Sequence, residues 1–265
     1  MVFVCITVRT NVIMRLKIRA SDAIRFYSSE NLKWSQQPSG SLERLRGGQA
    51  PPPAAGGGPR EGYPHPIGPH PLHILSVIYG TLLGGDSHLE KRINKVRISF
   101  ALENSNVEYL MWLWNTFQEA YYCYPIKPKL LTRIGSNNKI RFAYKFHTWS
   151  LPNLNYLYEE WYREGNKRVP ENIEENLTPM ALACWIMEDA CKVGKGLKLA
   201  SNMSFSIPDL EILRSALYSR YNLPTSIQKR GSPNQYVLYL KGDHVPIMRE
   251  IVKNHIVGSM KYKIS

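Results

Sequence analysis

Tyr79-Gly-Thr-Leu-Leu-Gly-Gly-Asp86-Ser87 and Leu182-Ala-Cys-Trp-Ile-Met-Glu-Asp189-Ala190 share one layout, apolar and ending in an acid followed by a small residue, and recur 103 residues apart. A repeat at that spacing predicts two similar half-domains. The carboxylate at the same place in each copy predicts that the halves bring two Asp side chains together. Helices that join their C-terminal carboxylates must pack with backbones nearly touching, which favours small residues four apart on the contact face. Gly80 and Gly84 meet that requirement, as does Ala183 in the second copy, whereas Met187 stands where Gly84 has its counterpart and makes the packing asymmetric.

Each copy opens a similar series of elements. The first helix, about Pro71 to Gly84, leads into Asn94 to Leu102, where Val96, Ile98 and Phe100 alternate with Arg97 and Ser99 as in a half-buried strand. Ser105-Asn-Val-Glu108 reads as a capping box opening a helix to about Tyr122. Strands are expected near Lys127 to Arg133 and Lys139 to His147, joined by Gly135-Ser-Asn-Asn138, and Ser150-Leu-Pro opens a helix to about Glu164. The second series is parallel: helix Thr178 to Cys191, strand Leu197 to Phe205, and helix Ile207 to Tyr221 capped by Ser206 with Asp209. Strands Thr225 to Lys229 and Gln235 to Leu240 follow, turned by Gly231 to Asn234, then helix Val245 to Val257. Each half therefore reads α-β-α-β-β-α, with the first spanning residues 72–175 and the second 176–265.

Residues 1–71 lie outside that scheme. Arg9, Arg15, Lys17, Arg19 and Arg25 with the single acid Asp22 resemble a mitochondrial transit peptide; translated sequence fused upstream of the domain reads equally well. From Gln36 to Pro71 the composition turns to Pro, Gly and Ser, too poor in apolar groups to offset the entropy of ordering. The most apolar stretch, Val2 to Met14, is broken by Arg9, Thr10 and Asn11, short of the roughly 20 residues a membrane helix needs. The four cysteines form no CxxC and no zinc spacing, which fits a reducing compartment.

The chain carries 34 Lys plus Arg against 21 Asp plus Glu, and residues 71–265 keep a net +8, a field suited to a polyanion or simply to solubility. Placement favours the polyanion. Lys95 and Arg97, Lys139, Arg141 and Lys145, Lys195 and Lys198, and Lys229 with Arg230 fall at near-alternating spacing on the expected strands. One sheet face would be basic, with Gln228, Asn234 and Gln235 beside it to read base edges, and Val96, Ile98, Phe100, Phe142, Tyr144 and Phe146 would pack under the helices.

By position, the two nine-residue segments resemble the signature of the LAGLIDADG homing endonucleases. Gly80 and Ala183 occupy its second, small position and Asp86 and Asp189 its eighth, acidic one. The run Leu177 to Asp189 is similar to the monomeric two-repeat branch of fungal mitochondrial introns, and the resemblance covers about Leu72 to Ser265. It implies an α+β fold with antiparallel DNA-binding sheets, a single-chain enzyme that hydrolyses both strands of a long DNA site, and a mitochondrial setting. It also implies Mg2+ between Asp86 and Asp189, with Gly85 and Glu188 beside it as oxygen donors. A lysine before each half's end would complete the site, and Lys167 and Lys263, 81 and 74 residues after their aspartates, fill those places. Thr81, Cys184, Ser87 and Ala190 depart from the signature mildly, Glu188 more seriously, because its extra charge bears on metal binding. Two alternatives share the same surface: a maturase binding group I intron RNA, and a degraded endonuclease that only binds DNA.

Overall fold

The computed structural model describes residues 2–8, 12–18, 64–134, 140–200, 205–230 and 235–265. The chain divides into two units, residues 1–52 and 53–265. In the first, strands Val2–Val8 (β1) and Val12–Ile18 (β2) pair antiparallel, with Val2 opposite Ile18 and Val8 opposite Val12. Most of the Val- and Ile-rich run that is too short for a membrane span thus lies in paired β-strands. Among the described residues no helix is long and apolar enough to cross a membrane.

The second unit holds both halves. Helix α1 (Leu72–Gly84) is buried continuously from Ser76 to Leu83, as expected of a central helix that is apolar on all sides. It runs through Gly85 and Asp86 into strand β3 (Ser87–Arg92), then β4 (Lys95–Glu103), helix α2 (Val107–Glu119), β5 (Leu130–Ile134), β6 (Ile140–His147) and helix α3 (Asn155–Trp161). A short hairpin, β7 (Tyr162–Arg163) with β8 (Asn166–Lys167), and helix α4 (Ile173–Asn176) link the halves. The second half repeats the plan with α5 (Pro179–Asp189), β9 (Ala190–Val193), β10 (Gly196–Ala200), α6 (Ile207–Tyr221), β11 (Thr225–Lys229), β12 (Tyr236–Leu240) and α7 (Val245–Val252). The two antiparallel sheets have the same strand order, β3-β4-β6-β5 and β9-β10-β12-β11.

Each half is thus α-β-β-α-β-β-α, with one strand more than expected. β3 and β9 are edge strands of sequence SHLEKR and ACKV, which lack the apolar alternation that marks an internal strand because only one flank is paired. Other expectations are also corrected. The box at Ser105 to Glu108 does not form: residues 104–106 make a 3-10 turn, and α2 starts after Asn106 without a side-chain cap. The helix expected from Ser150 to Glu164 is shorter, a 3-10 turn at 152–154 followed by α3, because the chain turns back into the β7–β8 hairpin. Ser206 and Asp209, by contrast, form a reciprocal capping box at the start of α6. The turns at residues 135–138 and 231–234, and with them Lys139 and Asn234, lie outside the described residues.

One hydrophobic core runs through both halves. Val96, Ile98 and Phe100 point into it from β4, and Phe100 stacks on Phe146 with ring centres 4.6 Å apart. Phe142 shares that face of the ribbon but remains 48% exposed, because the β5–β6 ribbon runs beyond the helices that cover Phe146.

Candidate active site

The site begins at the contact between α1 and α5. A Cβ on Gly80 would lie 2.3 Å from the Ala181 carbonyl oxygen and 2.6 Å from Cys184 Cβ, so only glycine permits the approach. A Cβ on Gly84 would sit 2.3 Å from Glu188 Oε2. Both glycines lie where the two helices come closest. On the partner helix the contacts fall on Ala181, Cys184 and Glu188, while Ala183 is fully buried one position away.

This contact sets the two helix ends side by side. Gly85 closes α1 in the left-handed conformation at φ 99°, which turns the chain so that Asp86 follows directly at the helix end. Asp189 is the last residue of α5. Burial raises both carboxyls: Asp86 is pushed up to about 6 and Asp189 to about 7, the latter also by the negative charge of Asp86, with Lys263, Arg230 and Lys167 opposing. Two acids at helix C-termini, where the macrodipole also disfavours negative charge, constitute a site short of cations.

Both lysines are brought to it. Lys263 Nζ donates to the Glu188 carbonyl at 3.0 Å, a cation at the C-terminal end of α5. Its pKa is lowered by burial, against the pull of Asp189, Asp86 and Glu188. Lys167, on β8, is 9% exposed; its Nζ has no hydrogen-bond partner and lies 5.9 Å from the Trp161 ring centre and 6.0 Å from that of Phe205. Burial lowers it to about 8, against the attraction of Glu188 and Asp189. A buried amine that is still mostly protonated at pH 7 but loses its proton about a unit higher is a group that can exchange a proton near physiological pH.

Glu188 stands apart from its expected place among the metal donors. Its carboxylate accepts the Asp86 N–H at 3.1 Å and the Tyr109 hydroxyl at 3.2 Å, and its carbonyl is taken by Lys263. Burial and the Asp86 charge drive its pKa well up, against the two hydrogen bonds it accepts and the charge of Lys167, and its bonds make it a strut between the halves. Tyr109, on α2, has no sequence signal that marks it.

The donors fit a hard divalent cation. Among the described residues no cluster of three His, Cys, Asp or Glu side chains has metal-binding geometry. A hard cation that keeps waters and takes one or two ionised carboxylates plus phosphate oxygen suits the pair, and its charge would offset the burial and repulsion that raise the two carboxyls. Asp86 and Asp189 would hold it, with the Gly85 carbonyl beside them.

The basic faces are sparser than the spacing predicted. Lys95, Arg97, Arg141 and Lys145 do share the outward face of the first sheet. Arg97, however, is buried and held by Glu90 of β3 at 2.6 Å, and Arg141 pairs with Glu103 at 3.0 Å. On the second sheet Lys198 shares the outward face with Tyr239, Ser226 and Gln228. Lys229 does not: it lies opposite Tyr236, on the helix side with Leu238, because strand alternation turns it away. Lys195 sits in the β9–β10 turn, and Arg230 is exposed just beyond β11 with its charge acting on Asp189.

Two runs of the same elements, each with a central helix ending at an aspartate and each spreading a four-stranded sheet, define a pseudo-symmetric α+β protein. The chain belongs to the LAGLIDADG DNA endonuclease family, whose profile matches residues 75–248. It is 42% identical over 207 residues to the cytochrome b mRNA maturase bI2 of Saccharomyces cerevisiae, covering 75% of this chain and 48% of that protein. It is 41% identical over 192 residues to the maturase of the same name from Debaryomyces hansenii, covering 72% and 73%. The intron-encoded endonuclease ai4 of Dictyostelium discoideum is 28% identical over 156 residues, covering 57% of this chain and 98% of that one. The chain thus spans about half the length of the first of these relatives. Among solved structures, the homing endonuclease I-WcaI bound to its DNA recognition sequence shares the fold at a TM-score of 0.66 and 21% identity, over 74% of this chain and 87% of that one.

Proposed function

We propose that the protein is a metal-dependent, site-specific double-strand DNA endonuclease of intron homing, acting as a single chain in the mitochondrion. The observation that carries this reading is the closeness of Asp86 and Asp189 at the ends of two helices in backbone contact, with the Lys263 ammonium at the Glu188 carbonyl and the buried Lys167 near enough for its charge to act on Asp189. Duplex DNA would lie along the outward sheet faces, positioned through Lys95, Arg141, Lys145, Lys198 and Arg230, and by bending at the cut would add specificity without base contacts. Bound Mg2+ would neutralise the carboxylates and polarise the scissile phosphate. Asp86 and Asp189 orient the attacking water. Lys167, with a free Nζ and a lowered pKa, takes up its proton, and Lys263 offsets the charge that develops on the phosphate. The test is incubation of purified protein with the intronless allele of its host gene and Mg2+. Wild type should cut, while Asp86→Asn should bind the same duplex and leave it intact; equal cutting by both removes the site assignment.

A second reading, a maturase that binds group I intron RNA, is supported by the two relatives above 40% identity that carry the maturase name. It needs neither aspartate. Intron splicing that survives Asp86→Asn and Asp189→Asn, with no DNA cut by wild type, would establish it in place of the first.

A further inference from the structure

The two lysines of the site are held by different means. Lys167 is fixed by packing in the β7–β8 hairpin, between the rings of Trp161 and Phe205. Lys263 belongs to a 3-10 segment, Gly258–Lys263, anchored by the buried Met260 and Ile264, and among the described residues no strand is paired with it. Against that segment lies a cleft of about 290 Å³ lined by Lys192, Lys195, Arg249, Lys263 and Ser265 among others. On the cleft side two polar bonds to the residues after Lys263 add to that anchoring: Arg249 Nε on α7 donates to the Ile264 carbonyl at 2.5 Å, and Lys192 Nζ on β9 donates to a Ser265 main-chain oxygen at 2.8 Å.

We propose that Arg249, assisted by Lys192, is a positioning residue that keeps the Lys263 ammonium at the Glu188 carbonyl beside the two aspartates; its effect on cleavage rests on the reading of Lys263 as part of the cutting site. The charges work in the same direction as the bonds. A Lys263 side chain swung into the cleft meets Lys192, Lys195 and Arg249 and, among the described residues lining it, no acidic side chain, whereas toward the helix ends it meets Asp86 and Asp189. Arg249 thus acts twice, as the donor that holds the backbone beyond Lys263 and as a cation that repels its ammonium from the cleft.

The test compares wild type, Arg249→Met and Arg249→Lys, each carrying 13C-labelled lysine, with the Lys263 side-chain resonance assigned by its loss in Lys263→Arg. The Lys263 signal should lie away from those of surface lysines in wild type, move onto them in Arg249→Met, and return partway in Arg249→Lys. A signal that stays put in Arg249→Met overturns the proposal. In single-turnover cutting, Arg249→Met should be at least about ten-fold slower at unchanged duplex affinity, and no slower still when combined with Lys263→Met. If the double variant instead loses the full product of the two effects, Arg249 acts elsewhere and the proposal fails. A Lys263 signal that moves while Lys263→Met cuts like wild type leaves the positioning intact and refutes the catalytic reading of Lys263. Should Arg249→Met not fold, Lys192→Met, at an exposed side chain, makes the same comparison at the neighbouring main-chain oxygen.

Discussion

Replacing Asp189 by Asn should make the metal-free protein more stable, although it removes a residue of the site. The Asp189 carboxyl is raised from 3.8 to about 7 by burial and by the charge of Asp86. A raised carboxyl binds its proton more tightly in the folded state, so between about pH 4 and pH 7 the unfolded chain ionises first and stability falls as pH rises. Above that window the penalty is constant. At about 1.4 kcal/mol per pH unit the bound is near 4 kcal/mol, and partial access to water together with the coupling to Asp86 reduces it to roughly 1–2 kcal/mol. For a domain of this size that corresponds to a rise in Tm of roughly 3–6 °C at pH 8. Thermal melts in EDTA should show the Asp189→Asn variant ahead of wild type at pH 8 and level with it at pH 4.5. Magnesium should then raise the wild-type Tm at pH 8 and leave the variant almost unmoved. An Asn variant less stable than wild type at pH 8 without metal would mean that Asp189 is satisfied by the protein alone, and the case for a cation between the aspartates would be lost.

Gly80→Ala forces a Cβ to within 2.3 Å of the Ala181 carbonyl and should cost about 2–4 kcal/mol in urea unfolding; a cost under about 1 kcal/mol would show that the helices can part without penalty. Cutting should rise with pH through a midpoint near 8, where Lys167 gives up its proton, and Lys167→Met should flatten that profile as well as lower it. An unchanged midpoint in Lys167→Met assigns the titration to another group. Lys198→Ala should reduce the slope of log affinity against log salt for duplex DNA by about 1, while Arg97→Ala should leave the slope nearly unchanged and destabilise the fold, because Arg97 is already paired with Glu90. A full loss of slope from Arg97→Ala would show that Glu90 releases it on binding.

Those contrasting expectations for Arg97 and Lys198 show where the sequence is readable. Elements whose signal is local were legible: the Ser206–Asp209 box and the limits of α6 and β11 follow from capping and from strands bounded by turn residues. Gly80 and Gly84 stood out because a close helix crossing allows so few residue types, whereas Ala181, Cys184 and Glu188, which they meet, carry no such mark. Features that depend on a partner strand were not. β3 and β9 are edges with little apolar pattern, and missing β3 concealed Glu90, so Arg97 read as a free cation instead of a paired one. Missing β9 likewise left Lys192, the clamp on Ser265, out of view.

Glu188 shows most clearly how a departure from a motif acquires meaning through its contacts. Read along the chain it is one negative charge too many beside Asp189. In the fold it leans on Gly84, caps the Asp86 N–H, receives Tyr109 and offers its carbonyl to Lys263, so a single residue of the second half touches the acid of the first and the lysine of its own. The glycine it leans on provides the room its side chain needs. The larger Glu188 and the smaller Gly84 are thus complementary across the interface, and the asymmetry of the two copies is a matched packing that leaves the carboxylate pair intact.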